Sequence, residues 1–219
     1  MIRVYVYVEG QTEETFVRDV LAPAYSAAAI FFTPILAETS PGYKGGIVNY
    51  AKTKRQLERL CQRDRGAYVT TMIDYYGLPN DFPGLGNRVI MNEVDIHQRM
   101  PMLETELEQD INQDNFLANY QLHEYEALLF CQPEKFEAWI DDVPTDALLQ
   151  VKDAFATPEH INNSPQTAPS KRVKALIPSY NKVLHGPMIA GDIGLQAIRE
   201  QCPHFNRWLE RVESLADDQ

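Results

Sequence analysis

The alternation of apolar and polar positions along the chain sets out its elements. Residues 2–8 are a β-branched and aromatic run that stops at Glu9-Gly10, and the polar Gln11-Thr12-Glu13-Glu14 then opens a helical pattern reaching about residue 29. Thr12 is positioned to cap that helix, with Glu14 or Thr15 in its first turn, where acidic and hydroxyl groups satisfy free backbone amides. A second apolar run at 30–36 leads through a loop bearing Gly42, Gly45 and Gly46 to a helix over 48–63. A third strand at 67–73 ends before Asp74, and the Gly- and Pro-rich stretch 75–92 reads as a long loop. A helix near 93–113, a short strand near 116–121 and the apolar Ala127-Leu128-Leu129-Phe130 of a further helix follow. Helices of this length between strands imply a mainly parallel sheet covered on both faces.

From Gln132 the pattern turns helical, near 133–141, 145–154, 170–180, 187–201 and 205–216, and Asp217-Asp218-Gln219 is expected to fray. The fold class expected is therefore α/β, a mainly parallel sheet flanked by helices, with a C-terminal helical extension. At 219 residues and 44% apolar content, one core can serve the chain, so a single domain 1–219 is expected, with an α/β core over 1–130 and the extension over 131–219. There is no internal repeat and no low-complexity tract.

No apolar stretch approaches the roughly 20 residues that span a bilayer, and residues 1–6 run straight into a strand pattern without a cleavage signature, so a cytoplasmic location is expected. Cys61, Cys131 and Cys202 are odd in number and widely spaced, which suits buried free thiols better than disulfides or a zinc site. The net charge of −11 repels nucleic acid unless a basic patch or bound cations reverse it locally, which counts against a simple DNA-binding module. Carboxylates that recruit a cation escape that objection.

Ligands of an open parallel sheet bind beyond the carboxyl ends of its strands, where Glu9 and Asp74 both fall. Glu13, four residues after Glu9, can point back to the same edge. Three carboxylates there suit Mg²⁺ or Mn²⁺, which take oxygen ligands and keep several waters. Each taken singly has a plainer reading, as a helix cap or a solvated loop acid. Glu124 and Glu126 open the next helical block and can supply a further acid; two apart on a helix they diverge, so one ligand is expected, Glu126 ahead of Glu124. Their alternative is a helix cap with surface ion pairs, and His123 beside them reads as a packed histidine. Lys171 and Arg172, with Lys174, Lys182 and His185 nearby, make a compact basic cluster able to hold phosphate, or else a solvated helix face.

The segment Val8-Glu9-Gly10-Gln11-Thr12-Glu13 resembles the V-E-G-x-T-E opening of Toprim-like nucleases of the OLD type, in which the first glutamate and the one four later are associated with metal and catalysis. Asp74-Tyr75-Tyr76 takes the place of their D-x-D motif, with Tyr76 where the second Asp stands. The blocks from His123 to Phe130, Asn162-Asn163-Ser164-Pro165 and Pro169-Ser170-Lys171-Arg172 resemble those of the DUF4276 family over nearly the whole chain, while the Toprim resemblance covers about 1–130. This implies a Toprim-like sheet and a Mg²⁺- or Mn²⁺-dependent nuclease. Glu9, Glu13, Asp74 and Glu126 or Glu124 would hold the metal, and Glu9, Asp74 and Glu126 would be catalytic. Lys171, Arg172 and Lys182 would hold nucleic acid, DNA ahead of RNA. An ATPase partner and a place in phage defence or DNA processing are implied with it. The alternative keeps the fold in a non-catalytic or partner-activated subunit that docks through the loop Tyr75-Tyr76-Gly77-Leu78-Pro79 with Phe82-Pro83. P-loop, dinucleotide, zinc-protease and serine-hydrolase motifs are missing from the sequence.

Overall fold

The computed structural model describes residues 1–40, 43–161 and 167–216; Gly42, the block Asn162-Asn163-Ser164-Pro165 and Asp217-Asp218-Gln219 lie outside the described residues. The elements are β1 (Ile2–Val8), α1 (Gln11–Phe16), a π turn (Val17–Leu21), α2 (Ala22–Tyr25), β2 (Ile30–Leu36), β3 (Glu38–Ser40), β4 (Tyr43–Lys44), α3 (Tyr50–Arg63) and β5 (Tyr68–Asp74). There follow α4 (Arg88–Met91), α5 (Ile96–Ile111), β6 (Phe116–Leu117), β7 (Tyr120–Gln121), 3₁₀ turns at Tyr125–Cys131, Pro133–Ala138 and Pro158–His160, and α6 (Thr145–Asp153). The chain then runs through α7 (Pro169–Leu176), α8 (Lys182–Ile193), α9 (Leu195–Gln201) and α10 (Pro203–Ser214).

The main sheet has the order β2-β1-β5, with β6 and then β7 along the far side of β5, and every pairing in it is parallel. Side chains alternate across it. Val4, Val6, Val8 and Met72 join the apolar core beneath α1, α8, α9 and α10, while Tyr7, Val69 and Ile73 join that beneath α3 and α5. Helices on both faces of a parallel sheet are the α/β arrangement expected.

Local chemistry explains where the elements depart from the sequence pattern. The helix after β1 widens to a π turn just before Pro23, whose ring would clash with the carbonyl four residues back, at Asp19. The strand expected at 116–121 is two short pieces because Thr71 interrupts its ladder. Asn119 N donates to Thr71 Oγ1 at 3.0 Å, and Thr71 Oγ1 donates to Asn119 O at 2.6 Å. The run 127–130 lies in a 3₁₀ turn, and the helix expected over 187–201 is divided at Gly194 into α8 and α9.

Edge strands expose unpaired backbone groups, and here side chains cover those of Ala118, between β6 and β7, and of Tyr120 in β7. Ala118 N donates to Glu108 at 2.8 Å, Tyr120 N to Glu104 at 3.2 Å, and Arg211 to Ala118 O at 3.1 Å. β2 forms the other edge and carries Pro34, a residue that sheets confine to such positions. Trp208 of α10 reaches the middle of β5, where its indole N–H donates to Thr70 Oγ1 at 2.9 Å. The three cysteines are buried and unbridged.

Candidate active site

Because β1 and β5 are parallel neighbours with Val8 opposite Met72, Glu9 and Asp74 leave the sheet at one edge. Gly46 N donates to Glu9 O at 2.7 Å and ties the glycine loop to that turn. Helix α1 starts two residues earlier than Thr12 capping would require: Gly10 is its N-cap, without a side-chain bond, and Thr12 sits inside the first turn, buried. Glu13 is then the third helical residue and curls back over the turn. A Cβ on Gly10 would stand 2.9 Å from Glu13 Oε2, so the glycine leaves the space that carboxylate occupies.

Asp74 is joined to the segment after β7. Tyr75 N donates to Gln121 O and Tyr76 N to His123 O, each at 2.9 Å, and Tyr125 N donates to Asp74 Oδ1 at 3.0 Å. Glu124 precedes the 3₁₀ turn in extended backbone, so Glu124 and Glu126 do not share a helix and the divergence expected of two helical neighbours does not apply. Their environments differ instead. Glu124 Oε2 accepts from Ser170 N at 2.8 Å at the start of α7, whereas Glu126 is 1% exposed and its Oε1 has no partner.

Crowding of these acids shows in their proton affinities. Burial, then the Glu13 charge, pushes Glu9 up to about 7; burial, then Glu124 and Glu13, pushes Glu126 up to about 7. Burial raises Glu13, and burial with Glu13, Glu9 and Glu126 raises Asp74 well above the carboxylate range. Asp74 keeps some solvent contact at its surface, but protein and three other acids hem in its carboxylate, and that enclosure decides the direction. Lys182 lowers all four. It is the first residue of α8, which Asn181 caps by accepting from Val183 N and Leu184 N. Partial burial lowers the Lys182 pKa, yet Glu126, Glu13, Asp74 and Glu9 together outweigh it and leave the ammonium firmly charged.

Beside the acids opens a cleft of about 290 Å³ lined by Glu126, Ser170, Lys171, Lys174, Tyr180 and Lys182. Lys174 donates to Pro178 O at 2.6 Å and Tyr180 O at 2.8 Å, which fixes the loop that carries Tyr180. Arg172 does not line the cleft; its guanidinium lies 5.3 Å from the Phe155 ring centroid and donates to Thr167 O at 2.7 Å. His185 Nδ1 accepts from Asn181 N at 3.1 Å. His123 is a packed histidine, 6.5 Å from the Tyr75 ring, with burial and then His160 and His97 pulling it down to about 4. Phe82 does not offer a docking surface: it is 2% exposed, between Tyr50 at 5.1 Å and Tyr120 at 6.4 Å.

Sequence reasoning passed over Thr12 as a site residue, and Tyr125 and Tyr180 altogether, whose hydroxyls are buried beside the acids without partners. No motif marks a lone hydroxyl. Among the described residues, no three His, Cys, Asp or Glu side chains enclose a metal position on their own, and no helix is long and apolar enough to cross a membrane.

Comparison with solved structures finds the C-terminal region of the Burkholderia pseudomallei OLD protein, 14% identical over 99% of each chain at a TM-score of 0.50. The C-terminal region of the Xanthomonas campestris pv. campestris OLD protein also matches, 14% identical over 100% of this chain and 99% of that one at a TM-score of 0.40. At such identity, the first of these likenesses speaks for a shared fold and nothing finer. No curated protein matches the sequence. The family model described as a domain of unknown function, DUF4276, matches residues 8–213, and the chain accordingly belongs to the DUF4276 family.

Proposed function

We propose that this protein is a Mg²⁺- or Mn²⁺-dependent Toprim-like nuclease that cleaves phosphodiester bonds of nucleic acid. The observation that carries the reading is the gathering of Glu9, Glu13, Asp74 and Glu126 from three separated segments, all with raised proton affinity, around Lys182 and beside a basic cleft. Like charges are concentrated this way at a cost to the fold, which a bound cation would offset.

The donor set fits a hard cation. It is all oxygen, Glu126 Oε1 is free, and Mg²⁺ commonly takes one or two carboxylates and completes its shell with water, so no ready-made cage is required. Glu9, Asp74 and Glu126 would hold the ion with Glu13 behind them; Glu124, engaged with Ser170 N, anchors α7 in preference to ligating. When bound, the cation supplies Lewis acidity, easing deprotonation of water and neutralising charge on the scissile phosphate. Without a cation, burial and the neighbouring acids push Glu9 and Glu126 up to about 7; a bound cation would favour both as carboxylates, so loading is expected to release protons. Lys182 points its charge at the phosphate that enters among the acids, and Lys171 in the cleft holds a flanking phosphate. Glu126 takes the place left by Tyr76. An ATPase partner, phage defence and a cytoplasmic setting extend the proposal by resemblance to OLD-type nucleases.

The test is calorimetric titration of MnCl₂ into the wild type and into Glu9→Gln with Asp74→Asn, followed by incubation of both with labelled plasmid and single-stranded DNA. Binding and cleavage in the wild type, both lost in the variant, are expected. A wild type that neither binds Mn²⁺ nor cuts DNA would refute the reading.

A further inference from the structure

Four buried polar atoms of residues packed around the acids have no protein partner: Thr12 Oγ1, Tyr125 OH, Tyr180 OH and Glu126 Oε1. Their residues are 1%, 0%, 4% and 1% exposed, so bulk water does not satisfy them. Polar groups so deeply buried are ordinarily paired, and a group of four at one place calls for a specific ligand.

Helix α8 shows how closely they meet. A Cβ on Gly186 would stand 3.2 Å from Thr12 Cγ2, 3.2 Å from Tyr125 Cε1 and 3.3 Å from Tyr180 OH. Three elements therefore converge on Gly186, one of the two glycines of α8, and leave no room there for a side chain. They adjoin the acids. Both phenols lie within reach of Glu13 and Glu126, and Tyr180 lines the cleft together with Glu126. A phenol or threonine hydroxyl is a weak metal ligand but a good partner for a coordinated water.

We infer that Thr12, Tyr125 and Tyr180 are positioning residues that would form the outer hydrogen-bonding shell of a hydrated divalent cation held with the help of the free oxygen of Glu126. The inference rests on the metal-dependent reading above and adds to it what orients the water. It also accounts for three hydroxyls on carbon frameworks that apolar side chains of equal shape would fill, since Phe and Val match Tyr and Thr in outline.

Calorimetric titration of MnCl₂ into the full chain separates the possibilities, with the wild type, Tyr125→Phe, Tyr180→Phe and Thr12→Val compared and each melted in EDTA. Outer-shell partners commonly change metal affinity by about 10- to 100-fold. Mn²⁺ binding weakened about 10-fold or more in the variants is expected, with melting in EDTA unchanged or higher, because removal of an unpaired buried hydroxyl relieves the metal-free fold. Variants that bind Mn²⁺ as tightly as the wild type would overturn the inference and leave the nuclease reading intact. Variants destabilised in EDTA would overturn it too, showing that the hydroxyls pair within the protein. A wild type that binds no Mn²⁺ would remove the metal-dependent reading itself.

Discussion

Replacing Glu126 by Gln isolates the cost of one buried charge. Glu126 is 1% exposed, and its carboxyl is moved from 4.5 to about 7, by burial first, with Lys182 opposing and Glu124 adding to the rise. A carboxyl with a folded pKa above its unfolded one holds its proton more tightly in the folded state. Its contribution is therefore full below about pH 4.5 and lost as pH rises through about 7. That displacement amounts to about 3 kcal/mol by pH 8. Gln never ionises, so in EDTA the variant should gain about 2.5 kcal/mol on the wild type between pH 5 and 8, roughly 5–10 °C in Tm for a chain of this size. The difference between the two proteins is the quantity to follow, since His97 and His123, both pulled down to about 4, tilt the wild-type curve the other way. Being neutral when folded, they contribute stability above about pH 6.5 that is lost on acidification. Urea unfolding followed by Trp139 and Trp208 fluorescence at pH 5, 6, 7 and 8 provides the assay. A difference that stays flat over this range, or a variant that loses ground toward pH 8, would refute the reasoning.

Glu159 is fully buried, and its carboxylate accepts from His204 N and Phe205 N, each at 2.9 Å, at the start of α10. Two bonds to a charged acceptor at a helix N-terminus lead us to expect Glu159→Ala to cost about 3 kcal/mol or more in urea unfolding; a loss under about 1 kcal/mol would show the anchor to be dispensable. In fluorescence anisotropy with labelled single-stranded DNA, Lys171→Ala should weaken binding and flatten its salt dependence. Arg172→Ala should instead lower the melting temperature with little change in affinity, and equal losses of affinity from both variants would move the nucleic-acid path off the cleft and onto α7.

How much was legible follows the range of the interactions involved. β1, β2 and β5 are dense in β-branched and aromatic residues, so their period survives in the sequence and places Glu9 and Asp74 at one edge. The boundary of α1 is not legible in the sequence because Thr12 is a good capping residue on propensity, while the fold caps the helix at Gly10 and buries Thr12 against α8. The interruption between β6 and β7 depends on one hydroxyl, Thr71, from a strand some fifty residues away, beyond any local pattern. Glu159 lies in an unremarkable stretch beside Pro158 and has its partners on α10. Tyr180 and Lys182 reach the acids only because Lys174 and Asn181 hold the loop between α7 and α8 in place. Residue types announced the chemistry; which of them meet was settled by tertiary contacts.

The seating of Trp208 on Thr70 bears on how the protein is made. A ribosome adds residues at roughly 5–20 per second, so about ten to forty seconds separate the emergence of β1 from that of α10. Over that interval Val4, Val6 and Met72, with α1 already beside them, await the rest of their cover from α8, α9 and α10, next to the Ile30-Phe31-Phe32 run of an edge strand. Apolar surface on that face therefore stays uncovered in the nascent chain until α10 arrives, so the yield in cells should depend on how quickly translation reaches α10 as well as on the stability of the finished fold.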